Sequence, residues 1–546
     1  MQLTEDTLSG LLERYAEQTP DKNFITYADR GLAWSYKSFN ERAEEFARGL
    51  MSIGVTKGTK VGIWANNIPD WLTVLFACSK IGAWLVTVNT NYKVGELEYL
   101  LKNADIHTLC MIGSWRDSSY VDMICELVPE IKFTPRGELR SKRIPELRNV
   151  VLLGADHKKG FYNTVEILGR SRFVSDAEYE KLHSSVSAYD VVNMQYTSGT
   201  TGFPKGVMLT HYNIVNNGFA TGECMKYTAN DRLLVCVPFF HCFGIVLALC
   251  AILTHGASMV ICEDFDVPTV LYSVEREKCT SLYGVPTMFS AELQYPDLDR
   301  YDLSTLRTGI MAGSVCPIET MKAAMEKMHM KDIISVYGLT ESSPGMTASR
   351  TTHTAEQRAT TVGTEYPGVE VAVISPETGR LCDIDEQGEL CCRGYNVMKG
   401  YYKNEEATFQ TIDKDGWLHS GDLGKKDKDG FYHVTGRIKD MIIRGGENIY
   451  PREIENFIYR MPEVNMVEVV GLPDPHYGEI VAAFVIRKEG AELTDDDVKR
   501  YCASQMAKFK VPKHVFFVKD FPKTGSGKVQ KYKLREMGAE MAKNLA

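Results

Sequence analysis

The sequence of 546 residues lacks features that mark several classes of protein. Its most apolar run, residues 244–253, is much shorter than the roughly 20 residues of a membrane-spanning helix, so a buried helix is expected there instead. Excess positive charge is also missing, because the net charge is −9. That balance argues against a general binding surface for nucleic acid or an anionic membrane, although a local basic pocket for a phosphorylated ligand stays open. We therefore expect no nucleic-acid partner and no transmembrane segment.

Paired cysteines and targeting signals are absent as well. The 14 cysteines form no C-x-x-C pair and no Cys/His spacing suited to zinc, which predicts reduced thiols in the cytoplasm. The first 18 residues are acidic and amphipathic, unlike a secretory signal or an Arg-rich transit peptide, and the last five residues carry no peroxisomal signal. We expect a cytoplasmic protein, and the sequence leaves its oligomeric state open, a homodimer included.

The chain has the composition of a globular protein with more than one domain, 44% hydrophobic and 24% charged. Short apolar runs alternate with helical patterns over roughly the first 340 residues, which is typical of parallel sheets covered by helices. Two such series predict two packed αβ layers, with helices over 268–278 and 317–328. After about residue 365, short strands and polar turns predict a small β-rich subdomain that ends near residue 438.

The remaining residues predict a separate α+β domain. A helix is expected to begin near Pro451, strands over 466–472 and 480–487, and another helix over 494–506. A charged stretch at 437–440 precedes it and favours a flexible joint. The predicted fold class is α/β, with a large N-terminal domain (1–438) of two packed αβ layers plus the β-rich subdomain, and a small mobile α+β C-terminal domain (439–546).

Residues 197–206 read TSGTTGFPKG and lie between two apolar runs. Glycines let a backbone turn its N–H groups into a concave donor cluster, hydroxyls add donors, and a closing lysine can follow the outer phosphates of a nucleotide. The nucleoside triphosphatase loop GxxxxGK[ST] is not matched, because Gly206 follows Lys205. A surface loop rich in turn residues is the alternative. The predicted phosphate-binding residues are Thr197, Ser198, Gly199, Thr200, Thr201 and Lys205.

The segment YGLTE, residues 337–341, follows an apolar strand at the place where open α/β sheets bind ligands. The ring of Tyr337 can lie against a purine, the hydroxyl of Thr340 can donate to a phosphate oxygen, and Glu341 can hold a hard cation. A helix start capped by Thr340 is the alternative.

Polar groups further along the chain could reach the same ligand. Asp422, expected after a tight turn in HSGDLG (419–424), can accept hydrogen bonds from both ribose hydroxyls, and Arg437 can donate to the same sugar. A turn aspartate and a surface ion pair are the alternatives. Lys528 closes the glycine loop of PKTGSGKVQK and could bring charge into a site built by another domain, unless it is a solvated surface lysine.

These segments resemble the signature motifs of the adenylate-forming superfamily, which contains acyl-CoA synthetases, beetle luciferases and the adenylation domains of peptide synthetases. The resemblance implies the fold of that superfamily and a reaction in which a carboxylate attacks the α-phosphorus of ATP and releases pyrophosphate. It assigns catalytic roles to Lys528, which bridges the carboxylate and the α-phosphate, and to Thr340 at the α-phosphate. The other implied contacts are Tyr337 and the segment Ala312, Gly313 and Ser314 with adenine, Glu341 with Mg²⁺, and Asp422 and Arg437 with ribose.

The resemblance extends to the C-terminal segment. Residues 444–455 resemble the loop by which acyl-CoA synthetases guide CoA to the adenylate. By this likeness Lys439 is the hinge residue, Gly446 lies beside the pantetheine tunnel, and Asn448 contacts the nucleotide. ATP, Mg²⁺ and CoA are the implied cofactors. The segment GELCCRGYNVMKGYY (388–402) also matches a family motif, which we interpret as structural.

The acyl substrate is predicted from the segment PFFHCFG, residues 238–244, which resembles the mouth of the family's acyl site. His241 is placed near the reacting carboxylate, and the absence of an aspartate here makes an α-amino acid a poor candidate. Gly338 stands where acetate-activating relatives carry a tryptophan, which implies a deeper apolar channel. A medium or longer fatty acid is the first expectation and an aryl acid the second. The predicted pocket residues are Phe243, Tyr283, Gly284, Met311, Val336 and Gly338.

Other functions stay open at this point. A ligase that loads a separate acyl carrier protein would use the same adenylate chemistry with a different acceptor. A nucleotide-binding regulator would keep the phosphate loop without turnover, and a luciferase-like oxygenase would add chemistry that nothing in the sequence demands. Pyrophosphate release that depends on a carboxylic acid separates a ligase from a regulator.

Overall fold

The computed structural model of the protein describes residues 1–197, 204–313, 316–445, 447–523 and 529–543. These residues form two compact units. The first unit consists of Met1–Val371 and Cys392–Leu418, and the second of Ala372–Cys391 and the residues from His419 onward. The β-rich segment expected after residue 365 is therefore divided between the two units.

Two large sheets form the framework of the first unit, as the alternating pattern predicts. In the seven-stranded sheet all neighbours are parallel except the last pair. Its spatial order is Asp332–Ile334, Thr308–Met311, Ser281–Gly284, Arg232–Val235, Ser258–Ile261, Asn23–Tyr27 and Leu32–Ser35.

The eight-stranded sheet is parallel over six strands and ends in two antiparallel ones. Its spatial order is Gly400–Tyr401, Lys205–Thr210, Val191–Thr197, Trp84–Thr87, Lys60–Trp64, Thr108–Met111, Asn149–Leu152 and Tyr162–Asn163.

Helices cover these sheets and bury their apolar faces. Helix Tyr36–Met51 is typical: the Ser35 side chain caps its first turn, and Phe39, Ala43 and Phe46 recur at helical spacing on its buried face. The apolar run at 243–254 is a buried helix, wound as a π-helix over Phe243–Cys250 and as an α-helix over Ala251–Thr254. The other α-helices of this unit are Leu8–Gln18, Pro69–Lys80, Val94–Asn103, Tyr120–Leu127, Thr164–Gly169, Asp176–His183, His211–Met225, Val267–Glu277, Pro286–Leu293, Ile318–Lys327, Ala355–Thr360 and Glu405–Thr411.

One expected strand of the first unit is divided in two. The run DIISVYG forms Asp332–Ile334 in the seven-stranded sheet, and then Val336–Gly338 in a three-stranded sheet with Gly345–Ala348 and Thr364–Glu365. The break falls at Ser335, whose N–H donates to the hydroxyl of Ser349 at 2.8 Å. This N–H therefore bonds to a side chain and not to the adjacent strand of the seven-stranded sheet. The segment that carries YGLTE starts in a different sheet.

The second unit contains most of a four-stranded sheet and an α+β segment. The four strands are Val369–Ile374, Gly388–Gly394, Leu418–Lys426 and Tyr432–Arg437. In the C-terminal sheet, Gly478–Arg487 pairs with Val464–Asp474, Ile442–Arg444 and His514–Phe517, and Glu447–Ile449 pairs with Ile442–Arg444. Its α-helices are Pro451–Ile458, Asp495–Ala503 and Lys531–Lys543, so the helices expected near Pro451 and over 494–506 are both present.

Candidate active site

The predicted phosphate loop connects two paired strands. Thr197 ends the strand Val191–Thr197, Lys205 begins Lys205–Thr210, and the two residues are register partners. The Tyr99 hydroxyl donates to the carbonyl oxygen of Pro204 at 3.0 Å, which fixes the chain just before Lys205. The hairpin therefore places both ends of the loop side by side. Ser198, Gly199, Thr200 and Thr201 lie outside the described residues.

Glu341 and Lys205 are brought together by a third residue, Tyr401. The Tyr401 hydroxyl donates to Oε1 of Glu341 at 2.8 Å, and Nζ of Lys205 lies 4.8 Å from the centroid of the Tyr401 ring. Glu341 is buried, and its carbonyl oxygen accepts a hydrogen bond from the N–H of Met398 at 2.9 Å. The predicted metal ligand and the predicted phosphate lysine thus share one aromatic side chain.

The segment around His241 lies against the segment YGLTE. Cys242 Sγ and Thr340 Oγ1 are 3.7 Å apart, within hydrogen-bonding distance for sulfur. The N–H of Phe243 donates to Nδ1 of His241 at 3.2 Å. Because Nδ1 is an acceptor there, the neutral imidazole carries its proton on Nε2, where it can donate to an oxygen of a ligand. Thr340 itself begins a short 3₁₀-helix, Thr340–Ser342, and is not the cap expected in the alternative interpretation.

Two predicted acyl-pocket residues of the seven-stranded sheet, Tyr283 and Met311, lie on its opposite faces. The rings of Phe243 and Tyr283 stack with centroids 5.8 Å apart, and both side chains are buried. Gly284 and Met311 are register partners on neighbouring strands. Met311, however, packs into the core on the opposite face from Tyr283, because side chains alternate along a strand. The structure does not bring Met311 together with Tyr283, and its place in the pocket stays a prediction.

Backbone crowding surrounds Gly338, another predicted pocket residue. Tyr337 pairs with Thr347, and Gly338 pairs with Gly345 across a bulge. A Cβ atom added to Gly338 would lie 1.7 Å from the carbonyl oxygen of Pro344. Any side chain at this position therefore requires the backbone to move. Val336, in the same strand, is half-buried against the core that contains Tyr283.

The adenine-lining segment begins where the strand Thr308–Met311 ends. The N–H of Ala312 donates to the carbonyl oxygen of Gly284 at 3.3 Å, which continues the pairing of the two strands. Gly313 has φ +91°, a conformation that favours glycine, so the chain can turn sharply here. Ser314 lies outside the described residues.

The predicted ribose ligands contact each other within the second unit. Arg437 Nε donates to Oδ1 of Asp422 at 2.7 Å, and the two residues are register partners. Asp422 lies inside the strand Leu418–Lys426 and not after a separate tight turn, so that expectation was wrong. The turn residue Gly421, with φ +73°, is accommodated within the strand itself.

A buried acid holds the backbone next to Asp422. Oε1 of Glu389 accepts from the N–H of Gly421 at 2.8 Å, and its Oε2 lies 2.8 Å from Nδ1 of His419. Hydrogen bonds to Cys391 and Glu389 raise the pKa of His419 to about 11, so the ring is positively charged at neutral pH. Glu389, Cys391 and His419 have metal-ligating atoms within 4.8 Å of one another, but these atoms already bond among themselves.

The remaining predictions concern the C-terminal segment. Lys439 lies in the 3₁₀-helix Ile438–Asp440, and its carbonyl oxygen accepts a hydrogen bond from Arg535 at 3.4 Å. The backbone of Asn448 belongs to the strand Glu447–Ile449, and its side chain is outside the described part of the chain. Gly446 and Lys528 also lie outside the described residues.

Two protein-family models match most of the chain. The family model described as AMP-binding enzyme matches residues 12–402, and the model described as AMP-binding enzyme C-terminal domain matches residues 453–528. The chain belongs to the AMP-binding enzyme family. The predicted resemblance and the predicted fold class are thereby confirmed.

Relatives of this AMP-binding enzyme match it over nearly its whole length. The Bacillus subtilis (strain 168) protein YngI, provisionally named an acyl-CoA synthetase, is 50% identical over 99% of this chain and 98% of its own. The human mitochondrial medium-chain acyl-CoA ligase ACSF2 is 37% identical over 98% of this chain and 88% of its own.

Solved structures agree with this placement. ATP-bound MatB from Rhodopseudomonas palustris superposes with a TM-score of 0.84 at 29% identity, over 98% of this chain and 99% of its own. The anthranilate CoA ligase AuaEII, solved with anthranoyl-AMP, also has a TM-score of 0.84, at 25% identity and over 99% of both chains.

The sequence interpretation of this AMP-binding enzyme missed two residues, one that contacts Glu341 and one that bonds to the residue before Asp422. Tyr401 and Glu389 both fall in the segment 388–402 that was interpreted as structural. One signal could have found them: the segment matches a family motif, and it contains acids and tyrosines that a purely apolar strand would not carry.

No helix in the described part of the chain combines the length and apolar character needed to cross a bilayer.

Proposed function

We propose that this AMP-binding enzyme is an acyl-CoA synthetase for a medium- or long-chain fatty acid. ATP-dependent formation of acyl-CoA through an acyl-adenylate is the reaction class of its family branch, which the acyl-CoA ligases at 50% and 37% identity support. The products are acyl-CoA, AMP and pyrophosphate. The observation that carries the proposal is that Lys205, at one end of the strand pair that flanks the TSGTTG segment, and Glu341 of the YGLTE segment both contact Tyr401.

In the first half-reaction, a carboxylate oxygen of the fatty acid attacks the α-phosphorus of ATP, the bond from that phosphorus to the bridging oxygen breaks, and pyrophosphate leaves. The nucleophile is already an anion, so no general base is needed. Catalysis must come from positioning and charge neutralisation. We assign the triphosphate to the hairpin loop and Lys205, the α-phosphate to Thr340, and the carboxylate to Nε2–H of His241. Lys528 bridges the carboxylate and the α-phosphate in this proposal.

The residues fit a magnesium ion at Glu341. Its carboxylate is buried and accepts a hydrogen bond from the neutral hydroxyl of Tyr401, and among the described residues it forms no ion pair with a lysine or arginine. A buried carboxylate without a cationic partner is a natural ligand for a hard cation. When bound, Mg²⁺ supplies positive charge that neutralises the phosphate oxygens. Glu341 supplies a fixed ligand oxygen from a segment anchored by two hydrogen bonds.

In the second half-reaction, the sulfur of CoA attacks the carbonyl carbon of the acyl-adenylate, the bond from that carbon to the phosphate oxygen breaks, AMP leaves, and the thiol proton passes to solvent. We assign residues 439–546 to a C-terminal domain that turns at Lys439, withdraws Lys528 and presents the segment 444–455, with Gly446 and Asn448, to CoA and the nucleotide. Asp422 and Arg437 hold the ribose in this proposal. All described cysteines are free thiols, which supports a reducing compartment such as the cytoplasm, where ATP and CoA are available.

A fatty acid is favoured over an aryl acid by the medium-chain name of the relatives that are 37% identical. The aryl alternative is supported by the similarity to an anthranilate CoA ligase at a TM-score of 0.84. The stacked rings of Phe243 and Tyr283 are compatible with either substrate, because both present an apolar wall.

The experiment is pyrophosphate release across a panel of straight-chain fatty acids from four to eighteen carbons, benzoate derivatives and amino acids, with and without CoA. We expect release that requires a carboxylic acid, prefers medium or longer chains, and is accompanied by acyl-CoA when CoA is present. Preference for benzoates would select the aryl ligase, and acyl transfer only to an acyl carrier protein would select the carrier-loading ligase. ATP binding without release for any acid would reject the proposal.

A further inference from the structure

Tyr401 lies between two charged groups whose roles the sequence predicts separately. Its hydroxyl contacts Glu341 at 2.8 Å and its ring lies 4.8 Å from the Lys205 ammonium group. Lys205 and Glu341 have opposite charges, yet among the described residues they form no ion pair with each other. The neutral side chain of Tyr401 instead contacts both: its hydroxyl donates a hydrogen bond to Glu341, and the face of its ring lies beside the Lys205 ammonium group.

The position of Tyr401 is fixed by its backbone and by the chain on both sides. Its N–H donates to Oγ1 of Thr408 at 2.9 Å, and it is the register partner of Val207, two residues after Lys205. The next residue, Tyr402, donates its N–H to the carbonyl oxygen of Gly206 at 2.8 Å. The strand Gly400–Tyr401 is therefore joined directly to the strand that carries Lys205.

The same segment also holds the backbone of Glu341. The N–H of Met398 donates to the Glu341 carbonyl oxygen at 2.9 Å. Glu341 is therefore held by hydrogen bonds to both its main chain and its side chain. The Tyr401 side chain is buried, and burial and the nearby Glu341 charge raise the pKa of its hydroxyl. The phenol therefore remains a proton donor over the range of pH in which enzymes are assayed.

These contacts have a chemical consequence for the carboxylate. A hydrogen bond to Oε1 restrains rotation of the carboxylate and occupies one of its oxygens, which leaves Oε2 as the available ligand for a cation. Without the hydroxyl, the carboxylate could rotate, and without the ring, the Lys205 ammonium group would lose the contact that holds it. Pairing of the two would remove both a metal ligand and a phosphate ligand from the site.

We propose that Tyr401 is a positioning residue that presents Glu341 to the magnesium ion of MgATP and keeps Lys205 apart from it. The inference rests on the proposed function for the identity of the ligand, MgATP. It goes beyond that proposal in assigning a role to a residue of the segment that sequence interpretation treats as structural. Tyr401 acts through Glu341 and Lys205 and touches no reacting atom in this assignment.

The test separates the hydroxyl from the ring. Tyr401→Phe keeps the ring under Lys205 and removes the bond to Glu341, whereas Tyr401→Leu removes both contacts. Tyr402→Phe is the matched control, because the Tyr402 hydroxyl donates to Asp105 at 2.7 Å and does not contact Glu341. Thermal melting of all three variants establishes that they are folded.

Binding is measured by calorimetry with ATP in excess Mg²⁺ and with ATP in EDTA. For Tyr401→Phe we expect the affinity gained from Mg²⁺ to fall about tenfold, the size of a lost hydrogen bond to a charged group, with the affinity in EDTA unchanged. Tyr401→Leu is expected to weaken binding in EDTA as well. Tyr402→Phe should match the wild type in both conditions.

A double variant shows whether Tyr401 acts through the acid. Once Glu341→Gln has removed the carboxylate, adding Tyr401→Phe should cause little further loss of Mg²⁺-dependent affinity, whereas a merely structural tyrosine would add its full effect. A Tyr401→Phe protein with wild-type affinity in both conditions would overturn the inference. Because the readout is nucleotide binding, this result is distinguishable from failure of the proposed function, which appears as wild-type protein that releases no pyrophosphate with any acid.

Discussion

At the scale of single residues, the two carboxylates of the predicted nucleotide site are each held by a specific neighbour. Glu341 is bonded to Tyr401, and Asp422 is paired with Arg437 at 2.7 Å. Such contacts fix the orientation of a carboxylate before a ligand arrives, which reduces the entropy lost on binding and the reorganisation needed in the transition state.

Lys528→Ala tests the residue assigned to the developing charge on the α-phosphate. We expect adenylate formation, measured as pyrophosphate release, to fall by two or more orders of magnitude, because no other group in the proposal bridges the carboxylate and the phosphorus. CoA attack on a preformed acyl-adenylate should be nearly unchanged. Lys523→Ala is the control, since Lys523 pairs with Asp520 at 2.7 Å on the surface. Equal losses in both half-reactions would remove the assigned role.

Glu292→Gln tests a buried acid outside the proposed chemistry. Its side chain is buried, its Oε1 has no hydrogen-bond partner, and burial raises its pKa to about 8 from an ordinary value near 4.5. Between these two pH values the folded protein retains a proton that the unfolded chain has released, so stability falls as pH rises. Glutamine has no proton to lose, and each unit of pKa difference corresponds to about 1.4 kcal/mol.

We therefore expect Glu292→Gln to match the wild type in melting temperature at pH 5 and to melt several degrees higher at pH 8. Glu319→Gln provides the control, because the Glu319 side chain is 88% exposed. A difference from wild type that is the same at both pH values would show that the Glu292 carboxyl does not titrate in this range.

Which residues could be predicted depends on how local their contacts are. Lys205 and Glu341 could be identified because each lies in a short segment whose composition already suggests its ligand. The contact that Tyr401 makes could not be predicted, because its partner Glu341 is 60 positions away in the sequence. Glu389 likewise reaches Gly421 over 32 positions. Contacts of this kind are created by the pairing of distant strands and leave no local pattern.

At the scale of elements, two strands explain what the alternating pattern could and could not predict. The parallel strands and their covering helices follow from apolar runs of strand and helix length, and the helices predicted over 268–278 and 317–328 are found at Val267–Glu277 and Ile318–Lys327. In the run 332–338 only Ser335 interrupts the apolar residues between Ile333 and Tyr337, and no Gly or Pro marks a turn there, so its division at Ser335 could not be predicted. The division coincides with a hydrogen bond to the hydroxyl of Ser349, which follows the strand Gly345–Ala348 and lies 14 residues further along the chain.

Gly338→Ala tests how closely the strand Val336–Gly338 approaches the backbone at Pro344. The added Cβ would lie 1.7 Å from the Pro344 carbonyl oxygen, so the backbone between Tyr337 and Thr340 must shift. We expect a loss of about 1–3 kcal/mol in stability and reduced affinity for ATP, measured by thermal melting and calorimetry. A tryptophan here would cause the same shift, so it would not simply fill the acyl channel.

Gly95→Ala is the matched glycine control. Gly95 lies in the helix Val94–Asn103, and an added Cβ would meet no atom within 4 Å. The substitution should be neutral or stabilising by up to about 1 kcal/mol. If Gly338→Ala proved as harmless as Gly95→Ala, the strand would tolerate a side chain and the channel could be tested directly with larger residues.

At the scale of the whole molecule, the proposal requires one chain to carry out two reactions with different partners at one adenylate. The hairpin loop, Glu341 and Thr340 belong to the first compact unit, while Asp422, Arg437 and Lys439 belong to the second. From the family resemblance we infer that a change in the backbone at Lys439, which lies in the short 3₁₀-helix Ile438–Asp440, controls which reaction is possible.

Lys439→Pro tests this control. Proline fixes φ near −65°, so it should restrict rotation at the turn and favour whichever arrangement that angle permits. We expect pyrophosphate release coupled to adenylate formation to persist, and acyl-CoA production in the presence of CoA to fall by about tenfold or more. Lys439→Ala removes the same charge without restricting the backbone and should retain thioester synthesis. If Lys439→Pro made acyl-CoA at the wild-type rate, rotation at this residue would not be required; if both variants lost it equally, the ammonium group and not the backbone would be responsible.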